Sequence, residues 1–244
     1  MAPVLVLLHG FTHTGASWRR VVRALPQSYT ALAPDLRGHG SRGSMVPVTL
    51  QAVVEDVMAE APPRFVLGGY SMGGRLALHL ALAEAVGRRV ERLVLVGASP
   101  GLEDPAERAA RRAADEQLAS ELEGEDLEVF ASRWEELPVL AGLPDDVARE
   151  AHADRLRNTP AGLARALRGL GTGVLPPLWH RLPELSVPVA LVVGERDEKF
   201  QAVATAMARR IPRAEVVVVQ GAAHAVHLQA PARVAAILAA EASL

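Results

Sequence analysis

Phe65-Val66-Leu67-Gly68-Gly69-Tyr70-Ser71-Met72-Gly73-Gly74-Arg75-Leu76-Ala77-Leu78 is the stretch whose reading decides the fold. An apolar run ends in Gly-x-Ser-x-Gly and continues as an amphipathic helical pattern. That order predicts a nucleophile elbow, a strand-to-helix turn so sharp that the serine needs strained backbone angles. Gly69 and Gly73 carry no side chain to collide across the turn, which is why glycine is wanted two residues before and after Ser71. The turn lifts the Ser71 hydroxyl off the sheet and leaves the Met72 N–H pointing at whatever the hydroxyl meets. A bare Gly-x-Ser-x-Gly says little. Its place between a buried strand and a helix makes it specific.

Half of the 244 residues are apolar and the formal net charge is −2, so the chain has neither a basic nucleic-acid footprint nor an acidic tail. With no cysteine, disulfides, thiolate catalysis and Cys-ligated metals are excluded. Met1 leads directly into a short apolar run, with no basic leader or small-residue cleavage site, and the run is too short to span a membrane. The expectation is a soluble cytoplasmic protein, monomer or homodimer, with no nucleic-acid or membrane partner. Lys199 is the only lysine, so arginine supplies 25 of the 26 basic residues. Alanine is abundant too, a bias that reads as genome composition.

Outward from the elbow, strand and helix alternate. Val4-Leu5-Val6-Leu7-Leu8 is continuously apolar, as expected of a parallel strand covered on both faces. It ends in His9-Gly10-Phe11-Thr12, and helical spacing follows from Ser17 to Leu25. Tyr29 to Pro34 predicts a second strand and Leu50 to Ala59 a helix with Val53, Val54 and Val57 on one side. Leu93 to Gly97, Val189 to Val193 and Val216 to Val219 predict the later strands. The fold class is therefore α/β, a mostly parallel sheet of about six strands. Between Pro100 and about Leu182 the alternation stops and only helical segments appear: Ala106–Leu122, Leu127–Leu137, Asp145–Leu156 and Ala161–Leu170. This predicts a core of residues 1–100 and 183–244, with a helical cap of residues 101–182 inserted after the fourth strand.

These residues resemble the α/β-hydrolase fold. Within it the chain is most similar to the 2-succinyl-6-hydroxy-2,4-cyclohexadiene-1-carboxylate synthases of menaquinone biosynthesis. The resemblance covers nearly the whole chain. It rests on Leu-Leu-His-Gly-Phe (7–11), Gly-Tyr-Ser-Met-Gly-Gly-Arg (69–75), Ser-Pro-Gly-Leu (99–102), Gly-Glu-Arg-Asp-Glu-Lys-Phe (194–200) and His-Ala-Val-His-Leu-Gln-Ala-Pro (224–231). The fold places nucleophile, acid and histidine in the order Ser, Asp, His. Asp197 follows one predicted strand and His224 another, so both fall on the sheet edge that displays Ser71. His224 would take the Ser71 proton while Asp197 fixes the imidazole tautomer. His227, one turn on, is the competing base, and Glu195 and Glu198 flank Asp197. His9 and His39 precede glycines in loops and read as ties between backbone groups. Ala223 stands where the family usually has glycine, which would strain the backbone if that position needed positive φ. The oxyanion hole is expected from the N–H groups of Phe11 and Met72.

The synthase's substrate carries three carboxylates, which ask for forked arginine donors, whereas an esterase pocket would be apolar with few cations. Matching the family residue by residue gives Arg75 after the elbow, Arg111 and Arg157 in the cap, Trp134 as a stacking aromatic and Tyr70 as a hydroxyl beside the nucleophile. The bland reading is surface arginine on an arginine-rich chain. The resemblance implies a lyase that eliminates pyruvate from a small anionic substrate, with Ser71 as base, no acyl-enzyme, no metal and no cofactor. A carboxylesterase or lactonase working through an acyl-enzyme on Ser71 is the alternative. A binding protein has no reason to hold Ser71, Asp197 and His224 together.

Overall fold

The computed structural model describes residues 3–140 and 142–240. Strand β1 (Val4–Leu8) leads through a 3-10 turn at Gly15–Trp18 into helix α1 (Arg19–Ala24), followed by β2 (Thr30–Leu32) and α2 (Leu50–Glu60). Next come β3 (Phe65–Tyr70), α3 (Met72–Ala81), the short α4 (Glu84–Gly87) and β4 (Val90–Val96). Four helices then run in succession: α5 (Pro105–Gly124), α6 (Leu127–Glu135), α7 (Asp145–Arg155) and α8 (Pro160–Leu170). The chain closes with β5 (Val189–Gly194), α9 (Glu198–Ala208), β6 (Ala214–Val219), α10 (Val226–Gln229) and α11 (Pro231–Ala239).

The six strands form one sheet in the order β2-β1-β3-β4-β5-β6, and every pair is parallel. The chain moves from β1 outward to β2 and then returns to the other side of β1 as β3. The order therefore reverses between β1 and β3, the place where an open α/β sheet leaves a crevice beyond its strand ends. Leu8 and Gly69 are in register there, so the loops carrying Phe11 and Ser71 leave neighbouring strands at one edge.

Alternate residues of the four central strands, β1, β3, β4 and β5, serve opposite cores, which explains their unbroken apolar runs. Val6, Leu8, Phe65, Leu67, Leu93, Leu95 and Leu191 pack with α2, α3 and α9 on one face. Leu5, Leu7, Val94, Val96, Ala190 and Val192 pack with Trp18, Val21, Val234 and Leu238 on the other. The inserted helices have a cluster of their own, which joins Ala119 and Leu122 of α5, Phe130 of α6, and Leu163 and Leu167 of α8. Ala166 and Leu170 of α8 join the core cluster and so anchor the inserted helices to the sheet.

The boundaries differ from the sequence expectation where charge or exposure interrupts an apolar run. β2 is an edge strand and pairs with β1 over three residues only. β4 begins at Val90, three residues early, and takes in Arg92, which is buried with its guanidinium on the Ile237 and Ala240 carbonyls. α5 starts at Pro105 behind Asp104, whose Oδ1 accepts the Ala106 and Glu107 N–H groups at 2.8 Å. Among the described residues no helix is long and apolar enough to cross a membrane.

Close backbone approach at the elbow is what the glycines supply. A Cβ on Gly73 would lie 2.3 Å from the Leu8 carbonyl oxygen and 2.5 Å from that of His9. One on Gly69 would lie 2.4 Å from the Gly73 oxygen. Neither neighbour is a side chain that could swing aside. Gly73→Ala is expected to destabilise the fold by about 3 kcal/mol, the upper end of the overpacking range. Urea denaturation measures this, and an unchanged midpoint would show that the elbow has slack.

Candidate active site

Two non-glycine residues in the described chain have positive φ, and both face the crevice: Ser71 (φ 50°, ψ −110°) and Thr12 (φ 69°). Strained backbone of this kind persists only where the surroundings hold it. At Ser71 the hold comes from β3 on one side and α3 on the other, with the Ser71 N–H bonded to the Val96 carbonyl at 2.9 Å. The hydroxyl is thereby aimed at the loops beyond β5 and β6.

Those loops bring the other two groups. Asp197 caps α9 and is buried, with Oδ1 accepting the Phe200 N–H at 3.3 Å. Its Oδ2 accepts the His224 Nδ1–H at 2.7 Å, and the Ser71 hydroxyl donates to His224 Nε2 at 3.3 Å. Room for the imidazole comes from Gly97 (φ 55°), where a Cβ would lie 2.9 Å from His224 Cε1. Ala223 has no positive φ, so the strain conditionally expected there is absent; Gly221 (φ 71°) turns the chain instead. His227 is buried between Trp18 and Tyr70, with ring centroids at 4.9 and 4.1 Å, and neither of its nitrogens has a partner. Glu195 accepts the Gly221 N–H, away from His224.

Two backbone N–H groups at this crevice have no acceptor among the described residues. Met72 is the first residue of α3, so its N–H has no acceptor within the helix. The Phe11 N–H likewise donates no hydrogen bond among the described residues. His9 holds this loop in place: its Nδ1–H donates to the Gly10 carbonyl and its Nε2 accepts the Leu36 N–H, both at 2.9 Å. His39 packs edge-on against His9 and Phe11 at 4.9 and 5.9 Å. These two histidines tie loops together.

A cavity of about 100 Å³ lies over Ser71, walled by Phe11, His13, Tyr70, Trp134, Arg155 and His224, with Val139 and Leu140. Tyr70 and Trp134 line this cavity, whereas Arg75, Arg111 and Arg157 are not among its wall residues. Arg75, one turn after Ser71, is buried away from the cavity with Nη2 on the Leu170 carbonyl at 2.9 Å and Nε unpartnered. Burial, then the nearby Arg111 charge, lowers its pKa to about 10. Arg111 lies on α5, bonded to Asp115 at 2.8 Å by the i,i+4 spacing. Arg157 follows the end of α7 and faces a different cavity.

Arg155, two residues before Arg157, lines the cavity over Ser71. It is 2% exposed, donates from Nη1 to Glu135 Oε1 at 2.8 Å, and keeps Nε without a partner. The signal was in the sequence. Val147, Ala151 and Arg155 recur at i, i+4 and i+8, so Arg155 shares the buried face of α7, whereas Arg157 lies beyond its last turn. Asp154 was also missed. Its Oδ2 accepts from His13 Nδ1 and the Thr14 N–H, both at 3.0 Å, and its Oδ1 accepts the Thr14 hydroxyl. Burial opposes its ionisation, but these donors hold its pKa below the usual carboxylate range. Burial also raises the Tyr70 hydroxyl, against the opposing charge of Arg155. Among the described residues no three His, Asp or Glu side chains gather as metal ligands.

Comparison with known proteins gives a consistent picture. The model of an alpha/beta hydrolase family matches residues 5–237. A 2-succinyl-6-hydroxy-2,4-cyclohexadiene-1-carboxylate synthase of Escherichia coli O1:K1 is 34% identical over 97% of this chain and 92% of that protein. A protein of Bacillus subtilis (strain 168), 36% identical over 93% of this chain and 85% of its own length, carries the same synthase name in provisional form. The structure of MenH from S. aureus superposes with a TM-score of 0.92 at 30% identity, covering 98% of this chain and 92% of that one.

Two measurements check the geometry. Gly97→Ala should drive a methyl group into the imidazole and cost turnover at least about tenfold, since catalysis is sensitive to ångström displacements; full activity would mean that His224 has room to move. The buried histidines predict the pH dependence of stability. Burial lowers His9 to about 4, His39 to about 3 and His79 to about 4, and also depresses His13 and His227. All titrate near 6.5 in the unfolded chain, which therefore binds more protons than the folded one below that pH. His152, raised first by Glu128, acts in the opposite sense, alone. The stabilisation is fully present above pH 6.5 and is lost as pH falls from 6.5 toward 4. Urea midpoints should drop steadily over that interval, with more than one proton taken up per molecule unfolded; flat midpoints between pH 7 and 5 would contradict it.

Proposed function

The chain belongs to the α/β-hydrolase family, and on that premise we propose that it is a carbon–oxygen lyase of menaquinone biosynthesis. It eliminates pyruvate from 2-succinyl-5-enolpyruvyl-6-hydroxy-3-cyclohexene-1-carboxylate. The observation that carries the reading is Arg155, a buried cation on the wall of the same cavity as Ser71 and His224. A pocket for neutral esters gains little from a guanidinium on its wall, whereas a substrate carboxylate would take the donors that Glu135 leaves free. The synthase names of the relatives support the same chemistry.

In this reading Ser71 passes its proton to His224 Nε2, and Asp197 stabilises the imidazolium through Nδ1. The serine oxygen then takes the proton on the carbon next to the succinyl carbonyl. The electron pair moves onto the carbonyl oxygen, where the Phe11 and Met72 N–H groups stabilise the enolate. Its collapse forms the ring diene and breaks the carbon–oxygen bond to the enolpyruvyl group, which leaves and takes up a proton to become pyruvate. Side chains and backbone amides carry every step. Arg155 holds a substrate carboxylate, Tyr70 adds a hydroxyl, and Trp134, in edge contact with Phe11 at 5.4 Å, covers the ring.

Pyruvate release tests the proposal. Ser71→Ala should lower kcat by about three orders of magnitude or more. Arg155→Gln should raise KM about tenfold or more, the value of a charge-assisted hydrogen bond, while Arg157→Ala stays within about twofold. No pyruvate, together with brisk cleavage of a short p-nitrophenyl ester, would identify an ester hydrolase instead.

A further inference from the structure

A second cavity, about 290 Å³, lies apart from the one over Ser71. It lies between α1 and α7, and His13 forms part of the wall of both cavities. Its floor is apolar, made by Ala16, Val147, Ala151 and Leu228. Four arginines line it: Arg19, Arg20 and Arg23 from α1, and Arg157 from beyond α7.

Only one of the four makes a direct ion pair, although Arg23 lies close enough to Glu150 to help lower its pKa. Arg20 is bonded to Glu150 at 2.9 Å through both Nε and Nη2, and to Asp146 at 2.6 Å. The two acids in the lining are thereby spent, Glu150 on Arg20 and Asp154 on His13 and Thr14. Arg19, Arg23 and Arg157 form no ion pair among the described residues. Arg19 and Arg23 stand one turn apart on the same side of α1, a like-charge pair that weakens a helix unless something compensates it. The accumulation runs against the whole chain, whose formal charge is −2. Three unpaired guanidinium groups over a concave apolar floor form a receptor for an anion that also has an apolar body.

We propose that this cavity is a second ligand site, taking a small organic anion with two or more acidic groups on an aromatic or alicyclic frame. The apolar floor receives the ring and Arg19, Arg23 and Arg157 receive the acidic groups. The site is independent of the reaction run at Ser71, and its test does not depend on turnover.

Benzene-1,2,4-tricarboxylate is the probe, titrated calorimetrically into the full chain at low ionic strength, where screening of exposed charge is weak. The proposal expects an equivalent, separate from any bound over Ser71, with a Kd that Arg19→Ala/Arg23→Ala weakens at least tenfold and Arg157→Ala weakens severalfold. Both sets of substitutions are on the surface, and an unchanged thermal midpoint shows that the variants are folded. Arg155→Gln, on the Ser71 cavity, should leave this equivalent in place. Ala16→Trp, which fills the cavity without touching an arginine, should abolish it. Binding that survives the double substitution within twofold, or that disappears only with Arg155→Gln, would overturn the second site. Inorganic phosphate binding as tightly as the tricarboxylate would overturn the assigned ligand class.

Discussion

The structure depends on one constraint, the backbone of Ser71 held at φ 50° and ψ −110° between a strand and a helix. A residue in that conformation carries strain on the order of 1–3 kcal/mol, so its neighbours must forbid relaxation. They do so by proximity. Gly73 packs on the Leu8 and His9 carbonyls, Gly69 on Gly73, and Gly74 on the Ala98 methyl at a distance that leaves no space for a Cβ. The same packing locks the end of β1 against the start of α3. The loop bearing Phe11 and the turn bearing Ser71 are therefore one mechanical unit, placed where the strand order reverses.

Around that unit burial decides which groups carry charge. His9, His13, His39 and His227 are all desolvated, and all are shifted toward the neutral form. Arg155 keeps its charge through Glu135, which in turn bonds His152. Two carboxylate–imidazole pairs, Asp197 with His224 and Asp154 with His13, each place their imidazole on the wall of the same cavity. Only the first reaches Ser71. The second braces the loop that carries the Phe11 amide, through Thr14 as well as His13.

Much of this was legible in the sequence because parallel α/β structure writes itself in plain terms: unbroken apolar strands, glycines at close approaches, and polar groups just past strand ends. Phe65–Tyr70 and Val189–Gly194 illustrate the first, and Asp197 and His224 the last. Less legible was anything set by the inserted helices. Arg157 was matched by resemblance, but the helical period assigns Arg155 to the inward face, and only the packing of α7 shows which face that is. Arg75 was read as a site residue because it follows the elbow, yet it is buried and its guanidinium turns to the Leu170 carbonyl at the end of α8. Arg92 escaped notice as a strand residue because its charge interrupts an apolar run, and its carbonyl partners lie 145 and 148 residues away. Sequence pattern reports on an element and its immediate ends, whereas side-chain direction in an insertion depends on what it packs against.

The hydrogen bond between His224 and Ser71 closes a loop of 153 residues, and that between His224 and Asp197 one of 27. Chain entropy must be surrendered before such distant contacts give anything back, and parallel sheets gather them late. β6, the edge strand beside β5, delivers His224, so the imidazole arrives only when the sixth strand has docked. The contact between His224 and Ser71 therefore joins the first half of the chain to its end, and its geometry depends on how the edge strand β6 is held against β5.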